Sequence, residues 1–89
     1  MDQWTNRLAP HLRALVALSA HDGHMTQAAE ELGVPQSSMS RRVHALEKEL
    51  GIPLLIHDGR IVRLTAAAQR LAKQMREPLR ELDSVIGEV

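Results

Sequence analysis

The fold is decided by residues 26–50, which have the sequence TQAAEELGVPQSSMSRRVHALEKEL. Their first part is a short run of strong helix formers that Thr26 can cap and Gly33 can end. After this turn, a second helix is predicted from Pro35, a residue that suits a first helical turn, to Leu50. The stretch therefore predicts two helices joined by a tight turn.

The second of these helices has two chemically different faces. Apolar residues recur at offsets 0, 4, 7 and 11, and they are Met39, Val43, Leu46 and Leu50. Hydrogen-bonding or cationic residues recur at offsets 0, 3, 4, 7 and 11, and they are Ser37, Ser40, Arg41, His44 and Lys48. We expect the first face to lie in the core and the second to face outward. Arg41 could donate two hydrogen bonds to guanine, and the amide of Gln36 could pair with adenine.

The flanking sequence completes a recognisable order of elements. An amphipathic helix is predicted over residues 5–20, and residues 52–64 favour two short strands around a turn at Asp58-Gly59. Thr65 can cap a last helix that begins at Ala66. We predict a mainly α chain: a winged helix-turn-helix with a three-helix core and a two-stranded β-hairpin wing, followed by a long C-terminal linker helix. The expected division is a domain over residues 1–64 and a linker or dimerisation helix over residues 65–89.

The last helix carries an apolar seam at heptad-like spacing. Pro78 interrupts it, which predicts a kink or an early helix end. The seam could pack on the first helix of the same chain, but a three-helix core is complete without it, so we expect it to pair with a second copy. The residues expected at that contact are Met75, Leu79, Leu82, Ile86 and Val89.

Composition excludes several classes of protein. The 89 residues carry no net charge, but the last thirteen sum to −3 and the preceding seventy-six to +3. With no Cys, no catalytic motif and only a weak group of His11, His21 and His24, we predict no enzyme, no metal and no cofactor. The chain has one aromatic residue, no secretion signal and no apolar run near the roughly 20 residues that span a bilayer. We expect no membrane partner and a cytoplasmic, nucleoid-associated location.

Residues 12–71 resemble the DNA-binding domain of LysR-type transcriptional regulators. The resemblance rests on residues 26–34, residues 36–47 and the segment Leu50-Gly51-Ile52-Pro53-Leu54, and it continues through residues 60–65 and Ala67. It implies sequence-specific binding of double-stranded DNA, with the recognition helix, about residues 35–50, in the major groove and the wing, about residues 54–64, at the minor groove.

The resemblance also implies a role for individual residues. The expected base contacts are Gln36, Ser37, Ser40 and Arg41, with Arg60 of the wing in the minor groove. The expected phosphate contacts are Thr26, Ser38, Arg42 and Thr65. The last helix would form a homodimer on a roughly palindromic site. Because the family continues into a ligand-sensing domain, an effector would bind a domain that is not present in this chain.

Two alternatives stay open at this point. The outer face of the second motif helix could bind another protein or serve only dimerisation, which the neutral total charge allows. Among DNA-binding proteins, a molybdate-responsive or MarR-like winged helix is the runner-up. The match at the turn and the wing favours the LysR type.

Overall fold

The structure is a computed structural model that describes residues 3–58 and 61–88. In chain order its elements are α1 (Gln3–Ala20), α2 (Met25–Leu32), α3 (Gln36–Leu50), β1 (Leu55–Asp58), β2 (Ile61–Leu64) and α4 (Ala66–Glu88). The two strands form one antiparallel hairpin. This order confirms the predicted winged helix-turn-helix followed by a long terminal helix.

The core lies where α1, α2 and α3 meet the base of the wing. Its largest fully buried side chains are Leu8, Leu15, Leu18, Met39, Val43, Leu46 and Leu54. Three of the four predicted core positions of α3 are therefore confirmed. The fourth, Leu50, is 37 % exposed, so that prediction is wrong. Leu50 is the last residue of α3, where the chain turns through the left-handed Gly51 and no further helical turn follows to shield it.

The expectation of a core complete without the last helix is also wrong. Ala68 and Ala72 of α4 are fully buried, and Leu79 is nearly so. The two alanines belong to the same buried cluster as the buried leucines of α1, so α4 completes the core. Farther along, Arg13 of α1 donates to Asp83 of α4 over 2.8 Å, with a second nitrogen–oxygen contact of 2.7 Å.

One of the two predicted helix caps is correct. Thr65 caps α4, since its Oγ1 accepts the N–H of Ala68 at 3.1 Å. Thr26 does not cap α2, because that helix begins at Met25 with His24 as its N-cap. Thr26 is thus the second residue of the helix, and its hydroxyl donates to the side chain of Gln36.

The turn of the hairpin and the effect of Pro78 on α4 both differ from the prediction. Asp58 was predicted in the turn of the hairpin, but it is the last residue of β1 and pairs with Ile61. Pro78 lies inside α4, which continues to Glu88, so an early helix end at Pro78 is wrong. Packing of the α4 face against α1 offsets the cost of the interior proline.

Candidate nucleic-acid interface

The outer face of α3 is the polar stripe that the sequence predicts. Ser37, Arg41, His44 and Lys48 are exposed, and Ser40 is half-buried. Behind them, Met39, Val43 and Leu46 anchor the helix in the core. The stripe is thus presented on a helix whose position is determined by packing rather than by its own polar side chains.

The N-terminal end of α3 can accept an anion. Its N-cap is Pro35, which has no side-chain acceptor and makes no side-chain cap hydrogen bond. The carbonyl of Pro35 accepts the N–H of Ser38 at 3.0 Å and the N–H of Met39 at 3.4 Å. The first N–H groups of a helix otherwise point outward and carry partial positive charge, which favours a phosphate oxygen.

A recess beside this end gathers side chains from three elements. It has a volume of about 430 Å³ and lies between the turn after α1, the start of α3 and the wing. Three predicted contact residues line it, namely Thr26, Gln36 and Ser40, together with His57 of β1. Thr26 Oγ1 donates to Gln36 Oε1 over 3.0 Å. The two helices of the motif are therefore joined by side chains on this surface.

Glu47 joins α3 to the wing. Its Oε2 accepts the N–H groups of Leu54 at 2.8 Å and Leu55 at 3.1 Å, and its Oε1 lies 2.8 Å from His44 Nδ1. Partial burial raises the pKa of Glu47, but the bonds from Leu54, His44 and Leu55 and the charge of His44 outweigh burial, and the pKa is lowered overall. The ionised carboxylate thus holds the base of the wing against the helix.

A second contact between α3 and the wing lies farther out. The imidazole rings of His44 and His57 are stacked, with centroids 5.6 Å apart and planes inclined by 20°. His44 carries both contacts, since its Nδ1 faces Glu47 and its ring face meets β1. The wing and the outer face of α3 therefore form one continuous surface.

The remaining predicted contact residues lie at the edge of the polar stripe or away from it. Ser38 and Arg42 are half-buried at the edge of the polar stripe. Thr65 lies at the start of α4, where its hydroxyl donates to the carbonyl of Pro53 at 3.0 Å while it caps the helix. Its only proton is therefore already used within the fold. Arg60 lies outside the described residues.

A cationic cleft lies behind the wing, away from the polar stripe of α3. Its volume is about 730 Å³, which exceeds that of the recess beside Gln36. Arg63 of β2 and Lys73 and Arg76 of α4 line it, with Asp22 as the acidic member. Arg63 also lies 3.8 Å from Asp58 across the hairpin. Three predicted contact residues thus line the smaller recess beside Gln36 and not this larger cleft.

The predicted dimer residues divide into two groups. Met75, Leu79 and Leu82 line an apolar groove of about 250 Å³ between α1 and α4 of the same chain. Ile86 is 58 % exposed on the following turns, as is its neighbour Val85 at 59 %. Val89 lies outside the described residues. Packing within one chain thus accounts for the first half of the seam and leaves the second half open.

The described residues contain neither a membrane-spanning helix nor a cluster of metal-ligand side chains. In residues 3–58 and 61–88, no helix is both long and apolar enough to cross a membrane. Over the same ranges, no three His, Cys, Asp or Glu side chains converge as metal ligands. His21 instead pairs with Glu31 at 2.9 Å, and His24 Nδ1 lies 2.7 Å from the carbonyl oxygen of His21.

Sequence reasoning missed Glu47 as a member of this surface, and it missed the contact of His57 with α3. In the sequence, Glu47 is only an acidic residue within a basic segment. No sequence pattern indicates that its carboxylate accepts hydrogen bonds from the main chain of Leu54 and Leu55. The alternation of β1 could have placed His57 on the same side of the wing as Leu55, which is buried. That side faces α3.

Comparison with known proteins agrees with this geometry. The family model described as "Bacterial regulatory helix-turn-helix protein, lysR family" matches residues 10–69. A probable nitrogen assimilation transcriptional activator of Synechococcus elongatus is 40 % identical over 70 residues, which cover 79 % of this chain and 22 % of that protein. The transcriptional regulator PtxR of Pseudomonas aeruginosa is 38 % identical over 79 residues, which cover 89 % and 25 %. The chain thus spans about a quarter of the length of these relatives.

Solved structures with the same fold include isolated domains bound to DNA. The BenM DBD in complex with catB site 1 DNA has a TM-score of 0.75 and 32 % identity, covering 89 % of this chain and 87 % of that one. The CbnR DBD–DNA complex has a TM-score of 0.73 and 33 % identity, covering 89 % and 88 %. The curated relatives are regulators of transcription rather than enzymes. From the buried and polar faces of α3, the wing and these matches, we conclude that the chain belongs to the lysR family of bacterial regulatory helix-turn-helix proteins.

Proposed function

We propose that this chain binds a specific sequence of double-stranded DNA as the reading domain of a bacterial transcriptional regulator. In this proposal α3 enters the major groove and the wing, residues 55–64, lies at the minor groove. The chain acts in the cytoplasm in association with the nucleoid, as expected of a regulator of bacterial transcription. The effector of the whole regulator binds outside this chain.

One observation carries the proposal. The outer face of α3 presents Ser37, Arg41, His44 and Lys48 to solvent, while most of the apolar inner face is buried in the core. Glu47 holds the wing beside this helix. A helix of this kind fits the width of the B-DNA major groove, and short side chains near its start allow close approach to the bases. The BenM and CbnR domains, which have this fold, are solved in complex with DNA, and this supports DNA as the partner.

The proposed contacts follow the chemistry of each side chain. Arg41 and Gln36 pair with base edges, because a guanidinium and an amide can each form two hydrogen bonds to one base. Ser37 and Ser40 contact bases through their hydroxyls, and Arg60 enters the minor groove. Ser38 and Arg42 contact phosphates from the edge of the stripe. Thr26 and Thr65 were expected to do the same, although both hydroxyl protons are bound internally in the free chain.

We also propose that two copies pair through α4 on a roughly palindromic site. Val85 and Ile86 form an exposed apolar end on a helix whose Met75, Leu79 and Leu82 line the groove beside α1. Two such ends would cover each other in a symmetric contact. Two recognition helices would then meet successive major-groove faces about one helical turn apart.

In vitro selection tests the main proposal. The purified chain would be mixed with a pool of duplexes that contain a random segment, and the retained duplexes would be sequenced. Enrichment of a two-fold symmetric motif is the expected result. A pool without enrichment, from which all binding is lost in moderate salt, would contradict specific recognition and favour a protein-interaction module.

Two neighbouring arginines then test the division between base and phosphate contacts. Arg41→Ala should relax base preference at one position of each half-site by roughly 1–3 kcal/mol, because the arginine would contact a base there. Arg42→Ala should weaken binding to all duplexes about equally, because phosphates are the same in every sequence. An equal, sequence-independent loss for both variants would contradict the assignment of Arg41.

The dimer is tested on the exposed end of α4. Ile86→Glu should give monomers in sedimentation and much weaker binding to a full site, since it places a charge in the proposed contact. Leu82 is a poorer position, because it also lines the groove with α1 of its own chain. Ser84→Glu adds the same charge at another exposed position of α4 and serves as the control. An intact dimer in the Ile86 variant would remove this part of the proposal.

A further inference from the structure

The hydrogen bond between Thr26 and Gln36 crosses the turn of the helix-turn-helix motif. Thr26 is the second residue of α2 and Gln36 is the first residue of α3, and the donor and acceptor oxygens are 3.0 Å apart. Both side chains are exposed and line the recess that also contains Ser40 and His57. The bond therefore lies on the surface that the proposed function assigns to DNA.

The chemistry of the hydroxyl limits what Thr26 can do there. A threonine hydroxyl has one proton to donate, and here that proton is directed to Gln36 Oε1. A DNA phosphate offers only acceptors, so it would have to compete with Gln36 for the same proton. In the free chain, Thr26 is thus engaged with a neighbouring side chain that is itself expected to contact a base.

The bond also determines which group Gln36 presents. With Oε1 turned toward α2, the amide NH₂ is the donor left to point away from α2, while Oε1 keeps one further lone pair. An exposed glutamine otherwise samples many rotamers, and ordering such a side chain on binding weakens the complex. A side chain that is already oriented loses less freedom when it meets its base.

We infer that Thr26 is a positioning residue, which orients the amide of Gln36 for base recognition and does not act as a phosphate contact. The inference rests on the proposed function, because it assigns Gln36 to a base. It makes Thr26 a determinant of specificity that need not touch DNA. The replacement that isolates this role is Thr26→Val, which removes the hydroxyl and keeps the branched shape.

The experiment measures base discrimination at one position. The position read by Gln36 is first identified as the one at which Gln36→Ala loses its preference. Affinities are then measured for four duplexes that differ only there, with the wild-type chain, Thr26→Val, Thr26→Ser, Gln36→Ala and the double variant Thr26→Val/Gln36→Ala. Thermal melting of each variant is recorded in parallel, so that a change in stability is distinguished from a change in recognition.

The expected result is a loss of discrimination without a general loss of affinity. Thr26→Val should reduce the ratio between the best and worst duplex by about threefold to tenfold, the range of one neutral hydrogen bond. Thr26→Ser should keep the ratio, since it keeps the hydroxyl. In the Gln36→Ala background, Thr26→Val should have no further effect, because nothing is left to orient.

Two other outcomes would overturn the inference in different ways. If Thr26→Val weakened all four duplexes by one factor, and by the same factor with and without Gln36, Thr26 would be a phosphate contact and not a positioning residue. That result leaves sequence-specific binding intact. If the wild-type chain distinguished no duplex from random DNA, the proposed function itself would fail, and the inference with it.

Discussion

At the scale of single residues, Glu47 has the largest number of distinct partners on the proposed DNA surface. Its carboxylate accepts two main-chain N–H groups at the base of the wing and lies against the imidazole of His44. Charge-assisted bonds of this kind are stronger than neutral ones, and both N–H groups would lose their partner if the carboxylate were removed. The residue is therefore structural for the surface, although no base or phosphate needs to touch it.

Glu47 makes the stability of the fold sensitive to acid. Because its pKa is lowered in the folded chain, the unfolded chain binds more protons at the pH values around this titration. The stabilisation from Glu47 is therefore complete above its ordinary pKa of 4.5 and is lost as the pH falls through the lower folded value. Urea unfolding across this window should show a steeper loss for the wild-type chain than for Glu47→Gln.

The control for this measurement is Glu77→Gln. Glu77 pairs with Arg80 on the exposed side of α4, and solvent screens such pairs. This variant should follow the acid dependence of the wild-type chain. Equal curves for the wild-type and Glu47→Gln chains would show that the carboxylate of Glu47 is not stabilised by folding.

Among the glycines of the described residues, Gly23 leaves the least room for an added side chain. It has a φ of +85°, and an added Cβ would lie 2.6 Å from the carbonyl oxygen of Val62 in β2. Gly33 also has a positive φ, of +68°, but an added Cβ would meet no atom within 4 Å. Gly33→Ala should cost about 1 kcal/mol for the backbone conformation alone.

Gly23→Ala should cost more than this, about 2–4 kcal/mol, because the clash adds to the conformational strain. Chemical denaturation of both variants measures the difference. It would also report how tightly the wing is held against the turn after α1. Equal losses for the two variants would mean that β2 moves away from this turn at little cost.

At the scale of the elements, the sequence predicts a helix end or a buried face best where neighbouring residues alone determine it. Thr65 caps α4 at the predicted residue, and three of the four predicted core positions of α3 are buried. Thr26 was predicted wrongly as a cap because α2 begins one residue earlier, with His24 as its N-cap. The contact of Thr26 with Gln36 and the contacts of Glu47 were missed because each joins residues that are distant in the sequence, which no local pattern reveals. The roles of the polar residues on DNA stay predictions.

Pro78 provides a test of how helix α4 is stabilised. It lies inside the helix and lines the groove against α1. An interior proline lacks one backbone bond and costs about 3 kcal/mol in a regular helix. Pro78→Ala should therefore raise the free energy of unfolding, by about 1–3 kcal/mol once the smaller contact with α1 is counted.

Pro35 is the matched control for this substitution. It is the N-cap of α3 and has a φ of −63°, which a proline ring adopts without strain. Pro35→Ala should give no gain and a small loss, because the unfolded chain becomes more flexible. Thermal melting of both variants measures these changes in stability. A loss of stability in Pro78→Ala would mean that contact of the proline ring with α1 outweighs the missing bond.

At the scale of the whole molecule, the distribution of cations predicts the salt dependence of DNA binding. The total charge is zero, and the proposed DNA surface includes Arg41, Arg42, Lys48 and Arg60 from each copy. For a dimer with these eight cations, the logarithm of affinity should fall with the logarithm of salt concentration with a slope no steeper than about −7. Fluorescence anisotropy with a labelled duplex over a range of salt concentrations measures this slope.

The cleft behind the wing gives this measurement a second possible result. Arg63, Lys73 and Arg76 line that cleft and are not part of the proposed DNA surface. A slope near −10 would mean that they also bind phosphates, and that DNA bends around the back of the wing. Replacing Lys73 by Gln would then reduce the slope, whereas in the present proposal it leaves the slope unchanged.

In the proposed function, the attachment of the wing to α3 also determines the layout of an operator. Glu47 and the stacked imidazoles of His44 and His57 connect the two elements before any DNA is bound. The distance between the proposed major-groove contacts and the proposed minor-groove contacts is therefore built into one chain. One base pair inserted between these two groups of contacted bases would move one group out of reach of the protein. In this proposal, spacing within a half-site is a property of this domain, and spacing between half-sites depends on the pairing of two copies.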